Sequence, residues 1–183
     1  MNFIPLKLGG VFLIKPKILK DNRGFFFEKY IKDKLDLYLG YKLKFLQENQ
    51  SLSHSGVFRG FHLQLKPYEQ AKLVTVNSGK ILDIVVDIRK ESPTFGRHIK
   101  VFLDAKNNYS LFVPRGFAHG FLTIDENSIV NYKVDNFYSR KHERNLSLYD
   151  KDLKIKLSMH KKKIILSEKD ANGLRLKELF RKQ

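Results

Sequence analysis

Two short stretches carry most of the chemically useful side chains. The first reads Gly56-Val-Phe-Arg59-Gly60-Phe-His62-Leu-Gln64 and is followed by Glu69-Gln70-Ala-Lys72; the second reads Pro114-Arg-Gly116-Phe-Ala-His119-Gly120-Phe. An imidazole inside a cavity is the natural general base near neutral pH. In an extended strand Gly60, His62 and Gln64 share a face. Lys72 falls on the next strand, placed to meet His62 across a hairpin, and Asp83 falls on the strand after that. A second chemistry is open to the same stretches, because His62, Glu69 and His119 could form a three-ligand metal site. The residue two after His62 is Gln64, however, and an amide oxygen is a poor replacement for a metal-binding imidazole. The metal-free reading therefore ranks first. A lone His62 would read as a buried histidine satisfied by hydrogen bonds; its neighbours Lys72 and Asp83 favour chemistry.

The elements that must position these groups are short strands. Extended segments are predicted at 11–14, 24–29, 44–50, 56–64, 70–76, 80–88, 96–103, 109–113, 119–124 and 128–134. Ser78-Gly79, Asn107-Asn108 and Asp125-Glu126-Asn127 mark turns between them. Strands at this spacing point to an all-β sandwich or barrel. Along 80–88, Leu82, Ile84, Val86 and Ile88 share one face, and Ile81, Asp83, Val85 and Asp87 the other. A core-facing carboxylate needs a partner, because a bare buried charge is costly. Helices are few: a short one is predicted over 31–39 and a weakly amphipathic one after Asn172-Gly173, carried by Leu174, Leu176, Leu179 and Phe180.

Composition narrows the options. At 183 residues and 42% hydrophobic content the chain can bury one core, and a single domain over 1–183 is expected. Residues 151–183 read as a basic appendage packed on the barrel. The absence of cysteine excludes disulfides, thiolate nucleophiles, Cys-based zinc sites and iron–sulfur clusters. Neither a signal peptide nor an apolar run of membrane-spanning length is read, which favours the cytoplasm and no membrane partner. The net charge of +16 attracts anions, with the densest run at Lys161-Lys162-Lys163. No helix-turn-helix, zinc-finger or RNA-binding aromatic signature accompanies it, so nucleic acid is not the expected partner.

The His62 and His119 stretches look like the two halves of a cupin-like jelly-roll β-barrel. The resemblance then becomes specific. Arg59-Gly-Phe-His62-Leu-Gln64, Gln70-Ala-Lys72-Leu-Val, Asp83-Ile-Val-Val-Asp87-Ile-Arg89, Ser92-Pro-Thr-Phe-Gly96, Pro114-Arg-Gly-Phe-Ala-His119-Gly-Phe, Tyr132-Lys133 and Leu166-Ser-Glu-Lys-Asp170 follow in one order. Asn22-Arg23-Gly-Phe25-Phe-Phe-Glu28 and Gln47-Glu-Asn49-Gln-Ser51 precede or join them. The series closely resembles the dTDP-4-dehydrorhamnose 3,5-epimerase family, over nearly the whole chain. The resemblance implies a homodimer that inverts C3 and C5 of a nucleotide-linked 4-keto-6-deoxyhexose, both carbons alpha to the ketone, without metal or redox cofactor. It implies that His62 is the base, Tyr132 the acid on the opposite face, Lys72 the cation at the enolate oxygen and Asp170 the partner that orients His62. Asp83 is a second candidate for that network. An acid, a base and a cation are what proton abstraction beside a carbonyl requires.

Binding roles follow from the same resemblance. Arg59 and Arg23 suit a diphosphate through forked, charge-assisted hydrogen bonds. Arg23, Phe25 and Glu28 would reach the nucleotide of a neighbouring subunit. Gln47 and Asn49 would add polar contacts, His119 would line the sugar pocket, and Tyr138 would stack on the base. Plainer readings stay open beside these: Tyr132 as strand filler, Ser167-x-x-Asp170 as a helix cap, Lys72 as a surface lysine. The sequence departs from the family with Phe61 and Leu63 around His62 and with Leu148-Tyr149-Asp150-Lys151 in place of Trp-Asn-Asp-Pro. These changes leave open inversion at one carbon only, or another keto sugar such as a GDP-linked heptose.

Overall fold

Strands that alternate apolar and polar residues need a second layer to cover each apolar face. The computed structural model describes residues 1–157 and 164–180, and the Lys161-Lys162-Lys163 run lies outside them. The strands are β1 (Asn2–Pro5), β2 (Phe12–Lys15), β3 (Leu19–Asp21), β4 (Gly24–Phe26), β5 (Gln47–Ser53), β6 (Phe58–Gln64), β7 (Lys72–Ser78), β8 (Lys80–Asp87), β9 (His98–Asp104), β10 (Ser110–Val113), β11 (Phe117–Thr123), β12 (Ser128–Val134) and β13 (Glu143–Asn145). Helix α1 (Lys32–Leu39) precedes β5, and α2 (Glu168–Ala171) and a 3-10 turn (Leu176–Glu178) follow β13. One sheet has the order β1-β2-β10-β7-β12-β5, the other β13-β6-β11-β8-β9, and β3 and β4 form a separate hairpin. The two large sheets make the expected all-β, cupin-like jelly-roll barrel.

Alternation sorts the side chains into three clusters. Val74, Val76, Ile81, Val85, Phe117, Phe121 and Val130 fill the space between the sheets. Leu82, Ile84 and Val86 point outward from the five-stranded sheet and are covered by Leu146, Leu148, Leu153, Leu176 and Leu179 of the C-terminal segment. On the outside of the other sheet, Leu35 of α1 packs with Phe12, Ile14, Leu73 and Phe112. Each fully buried Phe or Leu contributes about 2 kcal/mol. The two carboxylates that share a face of β8 have partners: Asp83 meets His119, and Asp87 takes Arg89, Ser92 and Thr94.

β6 breaks the simple alternation. Its pairing with β11 sets His62 opposite His119 but Arg59 opposite Phe121, so β6 holds an extra residue between the two contacts. The bulge brings Arg59 and His62 to one face, whereas plain alternation would separate them. The bulge depends on two glycines. A Cβ on Gly60, whose φ is +133°, would lie 2.5 Å from the Gly120 Cα, and one on Gly120 would lie 2.8 Å from the Arg59 carbonyl oxygen. Only hydrogens fit where these backbones cross.

Several predicted boundaries move. The 24–29 strand ends at Phe26 and, among the described residues, pairs only with β3. The 44–50 strand shifts to 47–53, because its pairing with β12 runs on to Ser53. The helix expected after Asn172-Gly173 is a single 3-10 turn, and a short helix precedes those residues instead.

Candidate active site

The inner face is apolar at one end of the barrel and polar at the other. Lys72 shares its face of β7 with Val74, and Tyr132 shares its face of β12 with Val130. Pairing with β5 sets Asn49 opposite Tyr132 and Gln47 opposite Val134. At the polar end these side chains surround a cavity of about 370 Å³, lined by His62, Lys72, Tyr132, Gln47, Asn49 and Tyr138 among others. The residues predicted as base, acid and cation therefore share one hollow.

His62 Nε2 lies 2.7 Å from Asp170 Oδ1, although the two residues are 108 apart in sequence. Asp170 arrives on α2, where the Ser167 hydroxyl accepts from the Asp170 N–H at 3.1 Å. The Ser167-x-x-Asp170 pattern is thus a helix cap and also aims the carboxylate. Asn145 Nδ2 donates to the same Asp170 oxygen at 3.1 Å, and the Gly60 N–H reaches the other at 3.5 Å. Burial would raise the Asp170 carboxyl, but His62, Ser167 and Gly60 outweigh it and hold the pKa below the usual range. With Nε2 committed to Asp170, Nδ1 is the nitrogen left for a substrate proton.

Lys72 is buried, and its Nζ donates to the His62 carbonyl at 3.4 Å. Burial lowers its pKa to about 8, with Asp83 and Glu143 limiting the fall. Tyr132 is raised, first by burial and further by Glu143, while Arg59 pulls the other way. A phenol raised in this way keeps its proton at neutral pH, as a donor must.

Asp83 does not meet His62. Both of its oxygens take His119 Nε2, at 3.0 and 2.9 Å. His119 is buried beside His62 and is not among the residues lining the cavity, so it stands behind the pocket wall rather than in it. Burial lowers its pKa, and Asp83 offsets only part of the fall. Arg59 is exposed, with Nε on the Ser53 hydroxyl at 2.8 Å. Arg23, Phe25 and Glu28 lie on or just after the β3–β4 hairpin, outside the cavity of their own chain. Arg23 pairs with Asp21 at 2.6 Å, and the Phe25 and Phe27 rings stack 5.9 Å apart. Among the described residues no three His, Asp or Glu side chains converge to hold a metal ion, and Glu69 borders a different cavity from His62.

The cavity also holds residues that the sequence reading passed over. Glu143 sits opposite Gln64 in the β13–β6 pairing and accepts from the Tyr138 hydroxyl at 2.8 Å. Lys169 pairs with Glu143. Lys169 adjoins Asp170, so its position was available from the motif. Glu143 sits on a three-residue strand with no alternation to reveal it.

The family model described as dTDP-4-dehydrorhamnose 3,5-epimerase matches residues 5–178. The chain is 42% identical over 173 residues to the dTDP-4-dehydrorhamnose 3,5-epimerase of Shigella flexneri, covering 94% of each chain. It superposes on the crystal structure of the Elizabethkingia anophelis enzyme of that name with a TM-score of 0.94 and 40% identity, covering 97% of each chain. A Legionella pneumophila dTDP-6-deoxy-D-glucose-3,5-epimerase, solved with dTDP-4-keto-L-rhamnose, gives a TM-score of 0.91 at 36% identity, covering 96% of this chain and 93% of that one. The chain belongs to the dTDP-4-dehydrorhamnose 3,5-epimerase family.

Proposed function

We propose that this chain is a dTDP-4-dehydrorhamnose 3,5-epimerase, an isomerase that inverts C3, C5 or both of a dTDP-linked 4-keto-6-deoxyhexose. The observation that carries the reading is the meeting of His62, Lys72 and Tyr132 in one cavity, with Asp170 behind His62. His62 removes the proton alpha to the ketone, and the C–H electron pair moves into an enolate whose oxygen faces the Lys72 ammonium. Asp170, held as a carboxylate, stabilises the imidazolium that forms. Tyr132 then delivers a proton to the opposite face of the same carbon. One C–H bond breaks and one forms, so the centre inverts with no change of oxidation state. A single base returning its proton to the same face would restore the substrate.

The nucleotide diphosphate falls to the arginines, with Arg59 at the cavity's own edge and Tyr138 at its rim. The hairpin residues Arg23, Phe25 and Glu28 serve the neighbouring subunit of a homodimer. Phe25 and Phe26 are 61% and 65% exposed, an unusual cost for two adjacent phenylalanines unless another chain covers them. No helix among the described residues is long and apolar enough to cross a membrane, and we place the enzyme in the cytoplasm.

Proton NMR in heavy water tests the reading. Incubation with a dTDP-4-keto-6-deoxyhexose, without added metal, is expected to place deuterium at C3 and C5 and to yield the inverted sugar. No exchange across a panel of nucleotide keto sugars overturns it.

A further inference from the structure

Gln64 stands where a cupin metal site would have a second imidazole, and the proton-transfer scheme gives it no task. It ends β6 two residues after His62, is buried, and lines the cavity. Its side-chain oxygen accepts a hydrogen bond from the Ser139 N–H at 3.1 Å. That contact fixes the amide's orientation. A backbone N–H requires an acceptor, so the oxygen must face Ser139 and the NH2 must face away from it. Among the described residues the Gln64 NH2 group has no hydrogen-bond partner, and it is not one of the sealed, orphaned polar atoms. A preoriented pair of neutral donors thus borders the hollow that holds His62, Lys72 and Tyr132.

The same oxygen tethers the rim. Ser139 begins a closed turn: His142 N and Glu143 N both donate to its carbonyl at 3.0 Å, and its hydroxyl meets His142 Nδ1 at 2.8 Å. Tyr138 precedes this turn, and Glu143 ends it opposite Gln64 in register.

We propose that Gln64 is a substrate-contacting residue whose amide NH2, oriented by Ser139, donates a hydrogen bond to an oxygen of the bound hexose. The proposal rests on the epimerase reading. The donor belongs to the sugar because Gln64 lies two residues along the strand from the base, roughly 7 Å away on the same face. A hexose ring bound against His62 spans that distance. Being neutral, the amide keeps its donors at every pH at which the enzyme works, unlike Lys72. A site built to hydrogen-bond a sugar oxygen discriminates among sugars by leaving its own donor unpaired when that oxygen is missing or inverted.

Two variants share the loss of the donor and differ in everything else. Gln64→Glu keeps an oxygen for the Ser139 N–H and adds a charge. Gln64→Met adds no charge and leaves that N–H without its acceptor. Each is assayed for kcat/KM by deuterium exchange into a dTDP-4-keto-6-deoxyhexose and for dTDP affinity by titration. The expected result is a fall in kcat/KM of about 10- to 100-fold in both variants, with dTDP affinity within about twofold of wild type. Neither the added charge nor the lost tether is common to both, so a shared defect belongs to the donor. If Gln64→Glu matches wild type while Gln64→Met is impaired, Gln64 only tethers the rim and the proposal falls. It falls equally if neither variant is impaired, or if dTDP affinity drops in step with kcat/KM. A wild-type protein that binds dTDP but exchanges no sugar proton overturns the epimerase reading itself, and with it this proposal.

Discussion

Two imidazole–carboxylate pairs lie side by side in this barrel. His62 on β6 and His119 on β11 are register partners across the two strands. The His62 side chain is 37% exposed and opens on the cavity, whereas that of His119 is 6% exposed and closed in. Asp170 comes from a distant helix and has Asn145 and Gly60 as further donors. Asp83 comes from the adjacent strand and, among the described residues, takes its hydrogen bonds from His119 alone. Access and redundancy separate the two. An open imidazole whose carboxylate has other donors can change charge without stranding a buried ion. A closed pair with a single mutual contact cannot, and its first duty is to the fold.

The widest test of that contrast removes each imidazole in turn. His62→Ala is expected to slow deuterium exchange at both carbons by about 10³-fold or more. Its urea midpoint should move little, because Asp170 keeps its other donors. His119→Leu should do the reverse in rank, costing about 3–5 kcal/mol of stability by leaving the buried Asp83 without its hydrogen-bond donor. Equal unfolding midpoints for the two variants would erase the distinction.

The next test exchanges charge for shape. Asp170→Asn keeps the side chain's size, and the cap from Asp170 N to the Ser167 hydroxyl uses only the backbone. Exchange should fall by about 10²-fold, less than for loss of the base itself, since the imidazolium loses its counter-charge but His62 remains. The pH–rate profile should also change, because the carboxylate that lies 2.7 Å from His62 Nε2 and is held ionised in the folded protein would be gone. A profile that keeps its shape and its rate would reduce Asp170 to a helix cap.

Much of this contrast was legible beforehand, and the illegible part has a physical cause. Period-2 alternation in 80–88 put Asp83 and Asp87 on one face, where a core-facing carboxylate demands a partner, and the family resemblance supplied the roles of His62, Lys72, Tyr132 and Asp170. What alternation cannot show is which partner each inward carboxylate finds. Asp83 took His119, because β11 lies between β8 and β6 in the sheet and His119 intercepts it. The shared face of Arg59 and His62 was also hidden, since it depends on an extra residue in β6 rather than on spacing. Glu143 was missed because a three-residue strand has too few positions to carry a period. The hairpin residues Arg23, Phe25 and Glu28 fall outside the cavity of their own chain, a placement that spacing along the sequence does not encode.

The finest test asks whether the closed pair reaches the chemistry at all, and Lys72 is the route. Burial holds the Lys72 pKa at about 8, against 10.5 for a free lysine. The folded protein therefore binds fewer protons than the unfolded chain between those values. Below about pH 8 the buried ammonium costs stability, and that cost is relieved as pH rises toward 10.5. Catalysis runs the opposite way, because the cation at the enolate oxygen disappears through the same titration. An alkaline fall in kcat near pH 8 is thus expected alongside a gain in unfolding free energy, with Lys72→Met lacking the gain. Of the charges that keep Lys72 protonated, Asp83 contributes most. Asp83→Asn preserves an oxygen for His119 but removes that charge, and should move the alkaline limb of the kcat profile to lower pH by up to about one unit. If the limb stays where it was, the closed pair holds the fold and nothing more, and the two imidazoles divide their labour completely.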